Sequence, residues 1–174
     1  MKESHRAVLA PLLSAAVENV FATYGEEGRE ASSSEHGHDI VAVIGFSSQN
    51  VKGGLALGIC ADLARRIAPS PTTELADWTG EICNQVLGRV RNQLLRYQMD
   101  LNLATPVVLA GVGIDIKPSR AGTLHHQCFS ASGHVFEAFL EASFVEGYEF
   151  PEPSAEEVAA PESSVLMFSE RASE

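Results

Sequence analysis

The sequence predicts an α+β domain with helices packed on a largely antiparallel sheet. Three observations lead there. A long helical pattern runs from Glu74 to about Met99 with one strongly apolar face. Three β-prone segments follow it, Val107 to Ile116, Thr123 to Ser130 and Val135 to Val145, and the short links between them favour antiparallel pairing. A helix, two strands and a short helix precede it, an order that places a helical layer over such a sheet.

Taken in order, residues 4 to 24 carry Val8, Leu9, Leu12, Leu13, Ala16, Val17, Val20 and Phe21 at helical spacing along one face. Pro11 falls inside this run and marks either a kink or a late start. Gly25 and Gly28 end it. Residues 29 to 38 are polar and read as a loop. Ile40 to Phe46 and Gly54 to Ile59 form a hairpin around the turn-rich Ser47 to Asn50. Ala61 to Ala68 is a short helix stopped by Pro69-Ser70-Pro71. Thr73 offers an N-cap for the long helix. The turns between the last three strands are 117–122 and 131–134.

The 174-residue length suits one domain with an additional tail. Residues 1–148 are expected to fold, and 149–174 to form an acidic Pro/Ser/Glu-rich tail, loosely attached. From Pro151 onward six Glu face one Arg, which places −5 of the formal −11 charge in the tail. That acidity argues against nucleic acid or an anionic membrane as the main partner. No apolar run reaches the roughly 18 residues of a membrane span. The mixed charge of Met1 to Arg6 argues against a signal peptide, so a cytoplasmic location is expected. The three cysteines, Cys60, Cys83 and Cys128, are too scattered for a disulfide framework or a zinc cluster and read as small buried hydrophobes.

Each residue of a helix advances about 100° around the axis. Leu75, Thr79, Ile82, Cys83, Val86, Val90, Leu94 and Tyr97 then share one face, the buried one. Asp77, Glu81, Asn84, Gly88 and Asn92 share the opposite face. Glu81 and Asn84 are therefore neighbours at i and i+3, pointing to solvent. On spacing alone this is an ordinary solvated stripe. Asn and Gly are, however, poor choices for helix stability, Gly88 costing about 1 kcal/mol relative to Ala. A glycine there also leaves room for another surface to come close.

The segment Glu74-Leu-Ala-Asp77-Trp78-Thr-Gly-Glu81-Ile-Cys-Asn84-Gln85-Val-Leu-Gly88 resembles the signature helix of the CheC/CheX/FliY chemotaxis phosphatases. That signature has Asp or Ser, three residues, Glu, two residues, Asn, and Gly four positions later. The Thr105-Pro106-Val107-Val108 strand opening, the Gly53-Gly54-Leu55-Ala56-Leu57 strand and the N-terminal amphipathic helix extend the resemblance over residues 5 to 146. CheC-type members carry two such motifs and CheX-type members one. No second Glu-x-x-Asn helix is present, so the chain looks CheX-like. Gln85 stands where Met often follows the motif Asn.

The resemblance implies a CheC-like single domain that dephosphorylates the phospho-aspartate of a CheY-like response regulator. Asn84 would orient the attacking water, and Glu81 would dock the partner's Lys. Asp77, Trp78 and Gly88 would line the partner-binding surface, with Trp78 equally readable as half-buried packing. No cofactor of its own is expected, Mg²⁺ belonging to the partner receiver domain, and a homodimer is implied. The alternative is a module of the same fold that binds a receiver domain or another signalling partner without turnover.

No metal site is assigned. The His36-x-His38 spacing sits in a polar loop with no third ligand fixed by sequence. His125 and His126 are adjacent in a strand and must face opposite sides. Ser-x-x-Lys, Gly-x-Ser-x-Gly and phosphate-binding glycine loops are lacking.

Overall fold

The computed structural model of the chain describes residues 3–31, 37–117 and 123–154. Three helices cover one face of a seven-stranded sheet whose pairings are all antiparallel. Helix α1 (Glu3–Thr23) buries Leu9, Leu13, Ala16, Val17, Val20 and Phe21, the stripe that periodicity defines. It starts before Pro11 and runs through it with the proline exposed, so a late start is excluded.

Strand β1 (Arg29–Ala31) pairs with β6 (Thr123–Ala131). Strands β2 (His38–Ser47) and β3 (Val51–Ile59) form the expected hairpin. The polar stretch 29–38 is therefore not wholly loop: it contributes an edge strand and the first residue of β2. Residues 32–36, including His36, lie outside the described residues.

Helix α2 (Ala61–Ile67) is capped by Cys60, whose Sγ accepts from the Leu63 N–H at 3.5 Å. Cys60 is half-buried and caps a helix, so it is more than a small hydrophobe. Cys83 fits that description: it is fully buried, and burial pushes its thiol up to about 12.

Helix α3 (Leu75–Leu94) follows, capped by the Glu74 side chain rather than by Thr73. Thr73 Oγ1 instead accepts from the Ser70 N–H at 3.2 Å in the preceding turn. A 3₁₀ turn (Leu95–Tyr97) ends at Gln98 in the left-handed region. Strand β4 (Asn102–Leu103) and strand β5 (Val107–Ile114) both pair with β2, and β7 (His134–Phe144) lies between β3 and β6.

The core lies between helices and sheet. Ile40, Ala42 and Ile44 of β2, Leu55, Leu57 and Ile59 of β3, and Phe136, Ala138 and Leu140 of β7 meet Ile82, Cys83, Val86, Leu87 and Val90 of α3. Phe136 stacks on Phe21 of α1 at 4.3 Å and on Phe129 of β6 at 5.4 Å. Packing continues past residue 148. Tyr148 and Phe150 rest against the core, and the Ser154 N–H donates to the Arg96 carbonyl at 2.8 Å. Residues 155–174 lie outside the described residues. Among the described residues no helix is long and apolar enough to cross a membrane.

The two adjacent histidines part as strand geometry requires. His125 is 7% exposed on the helix side, within 3.3 Å of Gln127 Oε1. His126 lies on the open face, stacked on Phe139 at 4.3 Å. Burial holds the His125 imidazole below its usual value, with Arg6 adding to that and the Gln127 hydrogen bond and Glu30 opposing it. A histidine whose folded-state value is depressed must be neutral to be buried. Its contribution is whole above the unfolded value of about 6.5 and is lost as pH falls through it. Unfolding in urea should thus show stability dropping below about pH 6.5. That component of the drop should shrink in His125→Gln, and an unchanged slope would rule it out.

Candidate functional site

Helix α3 carries the candidate site because its two faces do different work. Thr79, Gly80, Ile82, Cys83, Val86, Leu87, Val90 and Leu94 are buried. Leu75 and Tyr97, assigned to the buried face by periodicity, are only partly covered. Gly80 and Leu87 widen that face beyond the expected stripe. At Gly80 a Cβ would come within 3.0 Å of Val108 in β5, so the small residue lets strand and helix pack closely. Leu87 lines a gap in the core beneath the helix together with Leu9 of α1 and Phe46 of β2.

On the other side Asp77 and Glu81 are exposed, and Asn84, Gly88 and Asn92 are half-exposed. Glu81 and Asn84 stand one turn apart, as periodicity requires. The Glu81 carboxylate is held in place. Gln85 Nε2 donates to Glu81 Oε1 at 2.9 Å, and the Tyr24 hydroxyl donates to Gln85 Oε1 at 2.7 Å. The Tyr24 ring in turn meets the edge of Trp78 at 5.2 Å.

Trp78 is half-buried against the core, and its indole N–H has no acceptor among the described residues. Packing is therefore part of its role. Gln85 and Tyr24 are contributors that the sequence reading missed. Gln85 had a signal, its i+4 position from Glu81. Tyr24 had none, since it arrives from the end of α1.

The Asn84 carboxamide has no side-chain partner among the described residues, which leaves a donor pair and an acceptor to meet an incoming group. A Cβ on Gly88 would meet nothing within 4 Å. This helix therefore does not need glycine there for its own packing. Gly88→Ala should raise stability by about 1 kcal/mol, read as a shift in the urea midpoint. Gly88→Arg should keep the fold and weaken partner binding, whereas unchanged binding would remove Gly88 from the docking surface.

The stripe is convex. The large groove of the molecule, about 890 Å³ and lined by Val43, Lys52, Ala56, Lys117, Phe139 and Glu141, opens on the far face of the sheet. A convex helix face with a clamped carboxylate and an unengaged carboxamide suits a macromolecular partner better than a small ligand, which a cleft would enclose.

Fold and stripe together define a helix-on-sheet domain that presents polar groups from one long helix. The family described as chemotaxis phosphatase CheX matches residues 40–130, more than half of the chain. The chain belongs to the CheX family. No curated protein matches the sequence.

Among solved structures the chain is similar to the chemotaxis protein CheX of Vibrio vulnificus, with 25% identity and a TM-score of 0.70 over 79% of this chain and 98% of that one. It also resembles a CheC-like superfamily protein of a Shewanella species, with 19% identity and a TM-score of 0.66 over 78% and 97% of the two chains. CheX in a CheX–CheY–BeF₃–Mg²⁺ complex of Borrelia burgdorferi shares the fold, with 12% identity and a TM-score of 0.55 over 78% and 96%.

Proposed function

We propose that the chain hydrolyses the aspartyl phosphate of a CheY-like receiver domain, with Asn84 and Glu81 as its working residues. The observation that carries this reading is the pair on the outer face of α3, one carboxylate clamped and one carboxamide without a side-chain partner among the described residues, in a member of a phosphatase family. The family relative found with CheY, BeF₃ and Mg²⁺ supports the choice of partner.

In this reading the partner brings the acyl phosphate together with the Mg²⁺ and Lys that neutralise its charge. What it lacks is a water held in line with phosphorus. The Asn84 amide holds that water by hydrogen bonds without ionising. Water adds to phosphorus, the bond between phosphorus and the aspartyl oxygen breaks, and the carboxylate and inorganic phosphate are released. Glu81 pairs with the partner's Lys through a charge-assisted hydrogen bond and sets the register. Asp77, Trp78 and Gly88 form the surrounding docking surface, and no cofactor of the chain's own takes part.

The test is phosphate release from a phosphorylated receiver domain mixed with the full chain. Glu81→Ala should raise KM about 10-fold or more, the loss of one charge-assisted contact worth roughly 1.5 to 3 kcal/mol. Binding that is indifferent to Glu81 would refute the docking role. A complex that forms without phosphate release would replace the enzyme with a non-catalytic binding module.

The chain also acts as a homodimer in this reading. Val43, Val107 and Leu109 expose apolar surface on the open face of β2 and β5. Sedimentation at micromolar concentration would show the dimer, and a monomer would exclude it.

A further inference from the structure

On the open face of the sheet, away from α3, a second group of chemically capable side chains converges. His126 and Cys128 stand two residues apart on β6, hence on one face. Glu137 of β7 lies opposite Cys128 in register. His126 Nε2 is 3.2 Å from Glu137 Oε1, Cys128 Sγ is 3.5 Å from His126 Nε2, and Cys128 Sγ is 3.4 Å from Glu137 Oε1. From the other side His38, at the start of β2, places Nε2 2.8 Å from Glu137 Oε2. Its ring crosses over β3 at Gly58, where any Cβ would collide with the imidazole.

We propose that His126, Cys128 and Glu137 form a binding site for a borderline divalent transition-metal ion of the Zn²⁺ class, with His38 orienting the carboxylate. The three donors match that ion's preferences: imidazole nitrogen, thiolate sulfur and carboxylate oxygen. Their spacing matches as well. Around a tetrahedral Zn²⁺ the ligand bond lengths place N and O about 3.4 Å apart, and S about 3.6 Å from either. The observed separations of 3.2, 3.5 and 3.4 Å are already close to the edges of such a tetrahedron.

His38 occupies the supporting position that metal carboxylates commonly have, donating Nε2–H to the oxygen that faces away from the ion. It is 4% exposed and so fixed in place, whereas the His126 side chain is 41% exposed and leaves the site open to solvent. Binding exchanges the Cys128 thiol proton for the metal and releases that proton to solvent. Thiolate and carboxylate then offset the charge of the ion. Three protein ligands leave a fourth position for water.

The experiment is a Co²⁺ titration of the untagged full chain, followed by Zn²⁺ competition. One Co²⁺ per chain should bind with a near-ultraviolet thiolate charge-transfer band. Zn²⁺ should displace it, and affinity should fall as pH drops. Cys128→Ser should abolish the band, while Cys60→Ser should keep it. His38→Gln should weaken Zn²⁺ roughly 10- to 100-fold, and His126→Ala by more. The His126 side chain is exposed enough for that variant to fold, which far-ultraviolet circular dichroism would verify. Absence of the band, or Zn²⁺ affinity unchanged in both Cys128→Ser and His126→Ala, would overturn the proposal.

Discussion

Asn84→Ala should lower phosphate release from a phosphorylated receiver domain by about 100-fold at saturating receiver, the size of effect expected when a reacting group loses its positioning. The fold should not suffer. Asn84 is half-exposed, its carboxamide has no side-chain partner among the described residues, and alanine is the better helix former. The unfolding midpoint should therefore hold or rise slightly while kcat collapses. KM should change little, because the water it orients is not part of the docking contact. An unchanged release rate would end the catalytic role of Asn84, whatever happened to binding.

The second large effect concerns the core. Phe136→Ala should cost about 3 to 5 kcal/mol of stability, because it removes a fully buried ring and leaves a cavity that its neighbours cannot fill. Phe136 is sandwiched between Phe21 and Phe129, so it joins α1 to the β6–β7 pair. In a domain of this size the loss corresponds to a drop of roughly 6 to 20 °C in Tm. Phosphate release per folded molecule should be unaffected below the new transition. A loss under about 1 kcal/mol in urea titration would mean that the site collapses to fill the void.

Local pattern carried much of the fold. The apolar spacing in residues 4 to 24 and 74 to about 99 located both long helices, although α3 ends at Leu94, and the alternation with short links located the hairpins. Elements defined by distant partners were not legible. Strand β1 has only Arg29, Glu30 and Ala31, and it is a strand because β6 pairs with it. Strand β4 is two residues held by Phe46 and Ser47. Leu87 and Gly80 lie outside the simple stripe because α1 and β5 wall the helix on its flanks.

The candidate site divides the same way. That Glu81, Asn84 and Gly88 share an outer face is readable from one helix and its spacing, whereas the roles expected of them come from the family resemblance. The Tyr24–Gln85–Glu81 chain needs α1 and α3 to be brought together. The open-face cluster escaped entirely, since His38 and Glu137 meet only across Gly58, and the sequence offered His38 a different partner, His36.

Asp77, Glu81, Asn84 and Gly88 ride on one helix whose other side is the centre of the core. Among the described residues the arrangement needs no lid to close, and beyond α3 only Tyr24 takes part, through Gln85. Local opening, which inactivates many enzymes well before they melt, has little to act on here. The working lifetime of the surface on heating is the lifetime of the folded state itself, and activity and structure should disappear in one cooperative step.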